Sequence, residues 1–232
     1  MSVARALSER FQEVIVVERD VLPKDGPEHR RGVPQSQHIH NLMLRGQHEL
    51  EELFPGFFKE AIALGATRID HGRDVARCTD IGFCPLFETG YESLSASRAL
   101  FEHAQRQRFR ELCPQVTCLE GTRVESLLVE GEGGSRRATG VRTDNPEHRE
   151  IRAQLVVDCS GRSFLWKRWF AELQIPLPKE TVVDSRCGYA SRFYRRSPKH
   201  QGVNAMMVDP LFPHRPQWGV IVPIENNQWL VT

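Results

Sequence analysis

The sequence predicts a mixed α/β fold. It joins a Rossmann-like parallel sheet to a β-meander and to an inserted antiparallel sheet. Three stretches carry that expectation. Residues 14–17 read Val-Ile-Val-Val, four consecutive β-branched residues. A run that is apolar on both faces suits a central strand of a parallel sheet. Residues 155–157, Leu-Val-Val, run straight into Asp-Cys-Ser-Gly, as a strand enters a turn. Between the two, "VTCLEG", "RVESLLVEG" and "ATGVRTD" are strand-like runs with a Gly-rich turn, the pattern of a meander.

The elements follow in order. Val3, Ala6, Leu7 and Phe11 recur at helical spacing, so a short amphipathic helix precedes the first strand, with no capping residue ahead of it. Residues 22–40 form a polar loop bearing Pro and Gly; loops of this length are uncommon and often functional. Helices are expected from Leu42 to Leu53 and over "FKEAIALGA", the latter stopped at Gly65. Residues 67–96 read as short strands and turns. A long helix follows, with Ser97 as its N-cap. Leu155 to Val157 is read as a strand, "FLWKRWFAEL" as an amphipathic packing helix, and "QWGVIVPIENNQWLV" as a hairpin across Asn226-Asn227.

Composition narrows the function classes. The 232 residues carry a net charge of +1, so no global field favours nucleic acid. No apolar run approaches the roughly 20 residues of a membrane-spanning helix, and no signal-peptide core is visible near Met1. Cysteines stand at 78, 84, 113, 118, 159 and 187 without a C-x-x-C pair. Reduced thiols, and hence a cytoplasmic protein, are the expectation. His38 and His40 form an H-x-H pair with no placed third ligand, so no metal is assigned. They are read as solvated or structural histidines, or as lining for a substrate pocket. No catalytic acid or base is nominated.

Glu18 directly follows the Val-Ile-Val-Val run. In a βαβ nucleotide site, an acidic residue ends the second strand and accepts hydrogen bonds from the adenosine ribose. Many strands end in a charge, so this signal is weak alone. Taken with the "RRGVPQ" loop, however, "VVERD" resembles the FAD-dependent monooxygenases of the para-hydroxybenzoate hydroxylase type, and the resemblance covers nearly the whole chain.

That resemblance implies a set of cofactor residues. Glu18, with Arg19 beside it, would face the ADP ribose. Arg30, Arg31, Gly32 and Val33 would pass the flavin: a guanidinium there can neutralise diphosphate, and a glycine lets backbone approach the ring. Arg98 would face the cofactor from the start of its helix, though it also reads as a surface charge. Val124 would bracket the adenine through its backbone, or belong to the core. Asp158 and Gly161 would lie near the nucleotide, or form a plain strand-to-helix turn. The implied fold is an FAD/NAD(P)-binding Rossmann-like domain over residues 1–66 and 97–181. A substrate-side β-sheet would comprise residues 67–96 and 182–232. Phe83, Phe87, Tyr189, Phe193 and Trp218 would suit an apolar or aromatic small-molecule substrate, hydroxylated or epoxidised with FAD as cofactor and NAD(P)H as co-substrate.

The departures matter equally. No G-x-G-x-x-G occurs in the sequence, although that loop brings a helix N-terminus to the diphosphate in the family. The family's later Gly-Asp element and closing helix are also missing. The chain therefore reads as an incomplete slice of a longer enzyme. Two other readings stay open: a non-catalytic remnant, and an adenine-nucleotide binding module that uses Glu18 without redox chemistry.

Overall fold

The helical period near Met1 becomes α1 (Ser2–Leu7) in the computed structural model, which describes residues 1–161, 165–197 and 204–232. There follow β1 (Ile15–Val17), β2 (Asn41–Leu42), α2 (Leu44–Leu53), α3 (Phe57–Ala63), β3 (Thr67–Asp70), β4 (Val75–Thr79), β5 (Gly82–Phe83) and β6 (Glu92–Ser95). The central part holds α4 (Arg98–Leu112), β7 (Thr117–Leu119), β8 (Val124–Glu130), β9 (Arg137–Thr143), β10 (Glu150–Arg152) and α5 (Leu165–Glu172). Four strands end it: β11 (Arg192–Arg195), β12 (Ala205–Val208), β13 (Gly219–Ile224) and β14 (Gln228–Val231). Phe164, expected to open the α5 helix, and Arg162, of the "VVDCSGR" segment, lie outside the described residues.

The chain packs as two compact units. One comprises Met1–Val16, Leu22–Thr117 and Gly188–Thr232; the other comprises Val17–Val21 and Cys118–Cys187.

In the first unit a six-stranded sheet runs β11-β14-β13-β12-β4-β5, and a three-stranded sheet runs β2-β6-β3. The larger sheet is mostly antiparallel, but β12 pairs with β4 in parallel, Ala205 opposite Val75 and Val208 opposite Cys78. The sequence leads one to expect an antiparallel sheet here, and β12–β4 is a parallel pair within it. Two strands so distant in the chain need no tight hairpin, so nothing imposes opposite directions on them. The β13–β14 hairpin turns on Asn226 and Asn227, with φ of 58° and 54°. Two consecutive left-handed residues match the twist of flanking strands, and Asn tolerates that region best after Gly.

The core of this unit lies where α3 and α4 meet. Phe54, Phe57, Leu100 and Phe109 are fully or almost fully buried. Phe54 and Phe109 meet edge to face at 6.5 Å, and Phe57 stacks on Phe101 at 6.4 Å. Each such side chain contributes about 1.5–3 kcal/mol by burial. Helix α4 starts as the sequence predicts: Ser97 Oγ accepts the Leu100 N–H at 3.1 Å. Asp70 closes a separate knot. Its buried carboxylate accepts from the backbone N–H groups of Gly72, Arg73, Thr89 and Gly90, and from the Thr89 hydroxyl at 2.8 Å. These bonds, the Arg73 amide foremost, hold the carboxyl well below the usual carboxylate range. They pin the segment that carries the exposed Phe83, Leu86 and Phe87.

In the second unit β8, β9 and β10 form the meander, ordered β10-β9-β8. Helix α5 sits against it through Trp169, whose indole N–H donates to the Glu125 carbonyl at 3.2 Å. Leu155–Val157 does not form the expected strand. The ladder ends at Arg152, opposite Gly140, and residues 155–157 join no strand pair among the described residues. Leu155 and Val157 are 49% and 46% exposed. An apolar run becomes a strand only beside a partner, and among the described residues none pairs with it. Among the described residues, no helix is long and apolar enough to cross a membrane.

Candidate cofactor site

The second unit holds Glu18, Arg19, Val124, Asp158 and Gly161. Glu18 follows β1, which pairs with β7. Its backbone is held on both sides: its N–H donates to Leu119 at 2.9 Å, and its carbonyl accepts from the Thr122 N–H at 3.0 Å. Thr122 stands two residues ahead of Val124, the first residue of β8, so the structure brings the strand-end acid and the start of the meander together. Glu18 Oε1 turns back to accept the Asp20 N–H at 3.0 Å. Arg19 is exposed, its Nε 3.7 Å from Asp20 Oδ1. Val124 is half-buried and pairs with Thr143. Asp158 is exposed and its carboxylate accepts the Ser160 N–H at 2.8 Å, while Gly161 has φ of 66°. Side-chain capture of a following amide and a left-handed glycine are how a short turn is built.

The first unit holds Arg30, Arg31, Gly32, Val33 and Arg98. The Val33 N–H donates to Arg30 O at 3.1 Å, and the Ser36 N–H to Val33 O at 2.9 Å. These bonds coil the "RRGVPQ" loop tightly and bury Val33, while Arg31 stays exposed. The structure then adds a residue that sequence reasoning missed. Glu102 Oε2 accepts from Arg30 Nε at 3.0 Å, and its Oε1 accepts from Arg98 Nε at 2.9 Å. Arg106 Nη1 lies 3.8 Å from the same carboxylate. Burial alone would raise the Glu102 carboxyl, but the bonds from Arg98 and Arg30 outweigh it and hold the group below its ordinary value. A signal was present: Arg98, Glu102 and Arg106 are spaced four apart, so they share one face of α4.

The H-x-H pair lies in this unit too. His38 Nδ1 is 2.9 Å from Ser191 Oγ, and Ser191 Oγ is 2.6 Å from Thr232 Oγ1. The His38 ring stands 5.9 Å from Tyr189, and Tyr189 meets Trp218 edge to face at 6.5 Å. Tyr189 and Trp218 are 56% and 41% exposed, so these rings are not core. Phe193 instead packs partly buried against the sheet core. His40 Nδ1 is 2.9 Å from the His38 carbonyl, and its pKa is lowered, first by burial and further by the charge of Arg98. Among the described residues, no group of three His, Cys, Asp or Glu could hold a metal ion.

Within the second unit a carboxylate ends a strand beside the meander; within the first, guanidiniums lie beside a coiled glycine loop. Such groups are suited to ribose hydroxyls and to diphosphate respectively.

No family model matches the chain. The protein Rv3254 of Mycobacterium tuberculosis is 32% identical over 203 residues, which is 83% of this chain and 42% of that protein. Among solved structures, PqsL, a probable FAD-dependent monooxygenase from Pseudomonas aeruginosa, superposes with a TM-score of 0.66 at 14% identity, covering 99% of this chain and 56% of that one. The p-nitrophenol 4-monooxygenase PnpA from Pseudomonas putida DLL-E4 gives a TM-score of 0.63 at 16% identity, covering 99% and 53%. The chain thus spans about half the length of the proteins it matches. Its fold is that of flavin-dependent monooxygenases of known structure.

Proposed function

We propose that this chain is the cofactor-holding and substrate-facing part of an FAD-dependent oxidoreductase, a monooxygenase of the para-hydroxybenzoate hydroxylase type. It hydroxylates or epoxidises an apolar or aromatic small molecule, with NAD(P)H as reductant, in the cytoplasm. Residues 1–66 and 97–181 serve the Rossmann-like FAD domain, and residues 67–96 and 182–232 serve the substrate-side sheet. The observation that most supports this reading is the meeting of Arg30 and Arg98 at Glu102 in a chain with a flavin-monooxygenase fold.

FAD, when bound, supplies the electron transfer and oxygen activation. The chain's own residues bind and orient. Glu18 accepts hydrogen bonds from the ADP ribose, with Arg19 adjacent. Arg30, Arg31 and Arg98 set positive charge against the diphosphate. Gly32 and Val33 present backbone to the flavin ring, and Val124 brackets the adenine. Asp158 and Gly161 turn the chain beside the nucleotide. The rings of Tyr189 and Trp218 offer flat apolar surface to substrate, while the hydroxyls of Ser191 and Thr232 fix the ring of His38 beside them.

Titration with FAD, riboflavin and ADP tests the reading. FAD is expected to bind with quenching of its fluorescence and more tightly than ADP. Equal affinity for ADP and FAD would favour a nucleotide-binding module without redox chemistry. Failure of FAD to bind at all would favour a non-catalytic remnant.

A further inference from the structure

Two histidines seat the 22–40 loop at the head of β11. His38 Nδ1 lies 2.9 Å from Ser191 Oγ, and its ring stands 5.9 Å from that of Tyr189. His29 places its ring 5.8 Å from Phe193 and its Nδ1 3.0 Å from Ser36 Oγ. Between them the backbone is tightly wound: Val33 N–H donates to Arg30 O, Ser36 N–H to Val33 O, and His38 N–H to Gln35 O at 3.0 Å. Val33 and Ser36 are buried. Residues 29–38 thus form one compact piece that meets the start of β11 through both of its end residues. These residues, with Trp218 and Thr232, belong to the same compact unit.

The piece joins two features that the flavin reading keeps apart. Arg30–Val33, expected to meet the cofactor, lie between the two histidines. Tyr189 and Trp218, expected to meet substrate, lie at the His38 end. Burial of Val33 and the Arg30–Glu102 bond would already fix the loop on the α4 side. The histidines add a second attachment, on the side of the exposed rings. That attachment is made by side chains, since residues 29–38 join no strand pair among the described residues. Segments held in this way open at lower free energy than a core ladder. The seated loop is then a state that a ligand can favour. Two ligands that need the same state strengthen each other's binding.

We infer that His29 and His38 clasp the Arg30–Val33 loop to the head of β11, so that an aromatic ring on Tyr189 and Trp218 and a cofactor met by the loop bind cooperatively. This rests on the proposed function for the identity of the two ligands; the clasp itself does not. His38 is the shared part. A ring stacked beside Tyr189 meets the imidazole that Ser191 holds, and the same imidazole ends the piece that carries Arg30–Val33.

The test follows hydrogen exchange of residues 26–40 by mass spectrometry and FAD affinity by titration, each with and without phenol as the aromatic probe. The wild-type chain is compared with His38→Ala, His38→Asn, His29→Ala and Trp218→Ala. In folded His38→Ala and His29→Ala, exchange in the loop is expected to quicken about threefold to tenfold, the scale of one lost hydrogen bond, with α4 unchanged. His38→Asn keeps a polar atom near the place of Nδ1 and is expected to restore most of the protection, which a packing defect would not allow. If His38→Ala does not fold, His38→Asn and the wild-type phenol arm keep the inference falsifiable. Phenol is expected to slow loop exchange in the wild type and to tighten FAD by about fivefold or more, and to do neither in His38→Ala or Trp218→Ala. Unchanged exchange in the folded histidine variants overturns the inference, as does equal acceleration throughout the chain or a phenol effect that survives His38→Ala. Slowing of the loop by phenol through His38, without any FAD binding, would sink the flavin reading and keep the clasp. FAD binding that is indifferent to phenol and to His38 would do the reverse, and a wild-type chain that answers to neither probe sinks both.

Discussion

The carboxylate of Glu225 accepts two hydrogen bonds from Ser97, one from its N–H at 2.9 Å and one from its hydroxyl. Both residues are buried. Ser97 Oγ in turn accepts the Leu100 N–H, so a residue beside a hairpin turn fixes the first turn of α4. Gly65, with φ of 109°, packs on the other side; a Cβ there would lie 3.1 Å from Glu225 Cβ. The start of α4, and with it Arg98, is therefore set by the far end of the described chain.

Ser97→Ala should cost about 1–3 kcal/mol, from loss of the cap and of a buried carboxylate's donor. Urea denaturation measures it. A change indistinguishable from zero would mean that the Ser97–Glu225 contact is not formed in solution.

Phe57→Ala should cost about 3–5 kcal/mol, since the side chain is fully buried and stacks on Phe101. The same denaturation series reads it. A loss below 1 kcal/mol would place Phe57 outside the cooperative core.

Acid should destabilise the fold in two steps. His40, His71 and His103 have pKa values lowered chiefly by burial. Below about pH 6.5 the unfolded chain takes up protons that the folded one refuses, so stability falls with pH. Asp70, Asp74 and Glu102 are depressed below their ordinary values. Their contribution is present above the usual carboxyl range and is lost from about pH 4 downward. Melting temperature followed from pH 7.5 to pH 3 checks both; a flat profile between pH 7 and pH 5 contradicts the histidine step.

Asp70→Asn should release residues 84–91 and leave α3 and α4 intact. The carboxylate takes backbone N–H groups from both Gly72–Arg73 and Thr89–Gly90, and an amide offers one acceptor oxygen instead of two. Hydrogen exchange should accelerate in that segment alone. Uniform acceleration across the chain would make Asp70 part of the global core.

Glu18→Ala should weaken FAD binding by roughly tenfold if its carboxylate meets the ribose, given about 1.5–3 kcal/mol per charge-assisted hydrogen bond. Isothermal titration gives the value, and unchanged affinity removes Glu18 from the site.

Local signals in the sequence translated well. Ser97 before a periodic run gave its cap, because N-capping is chemistry within three residues. Asn226-Asn227 gave its hairpin, because few residues accept two left-handed conformations in succession. Non-local pairings were not legible. Arg30 and Glu102 lie 72 residues apart, and no local pattern joins them; only the four-residue spacing of Arg98, Glu102 and Arg106 hinted at a cluster. The parallel pairing of β4 with β12 is hidden for the same reason. Leu155 to Val157 was misjudged because an apolar run reports what a segment would bury and is silent about what lies beside it.

That last segment has a practical outcome. An exposed apolar stretch that joins no strand pair among the described residues is a surface that an extended chain can add to. Purified at high concentration, the protein should recruit such a chain from its own neighbours and form assemblies that grow with concentration. A charged residue at Leu155 should then act as a solubility handle.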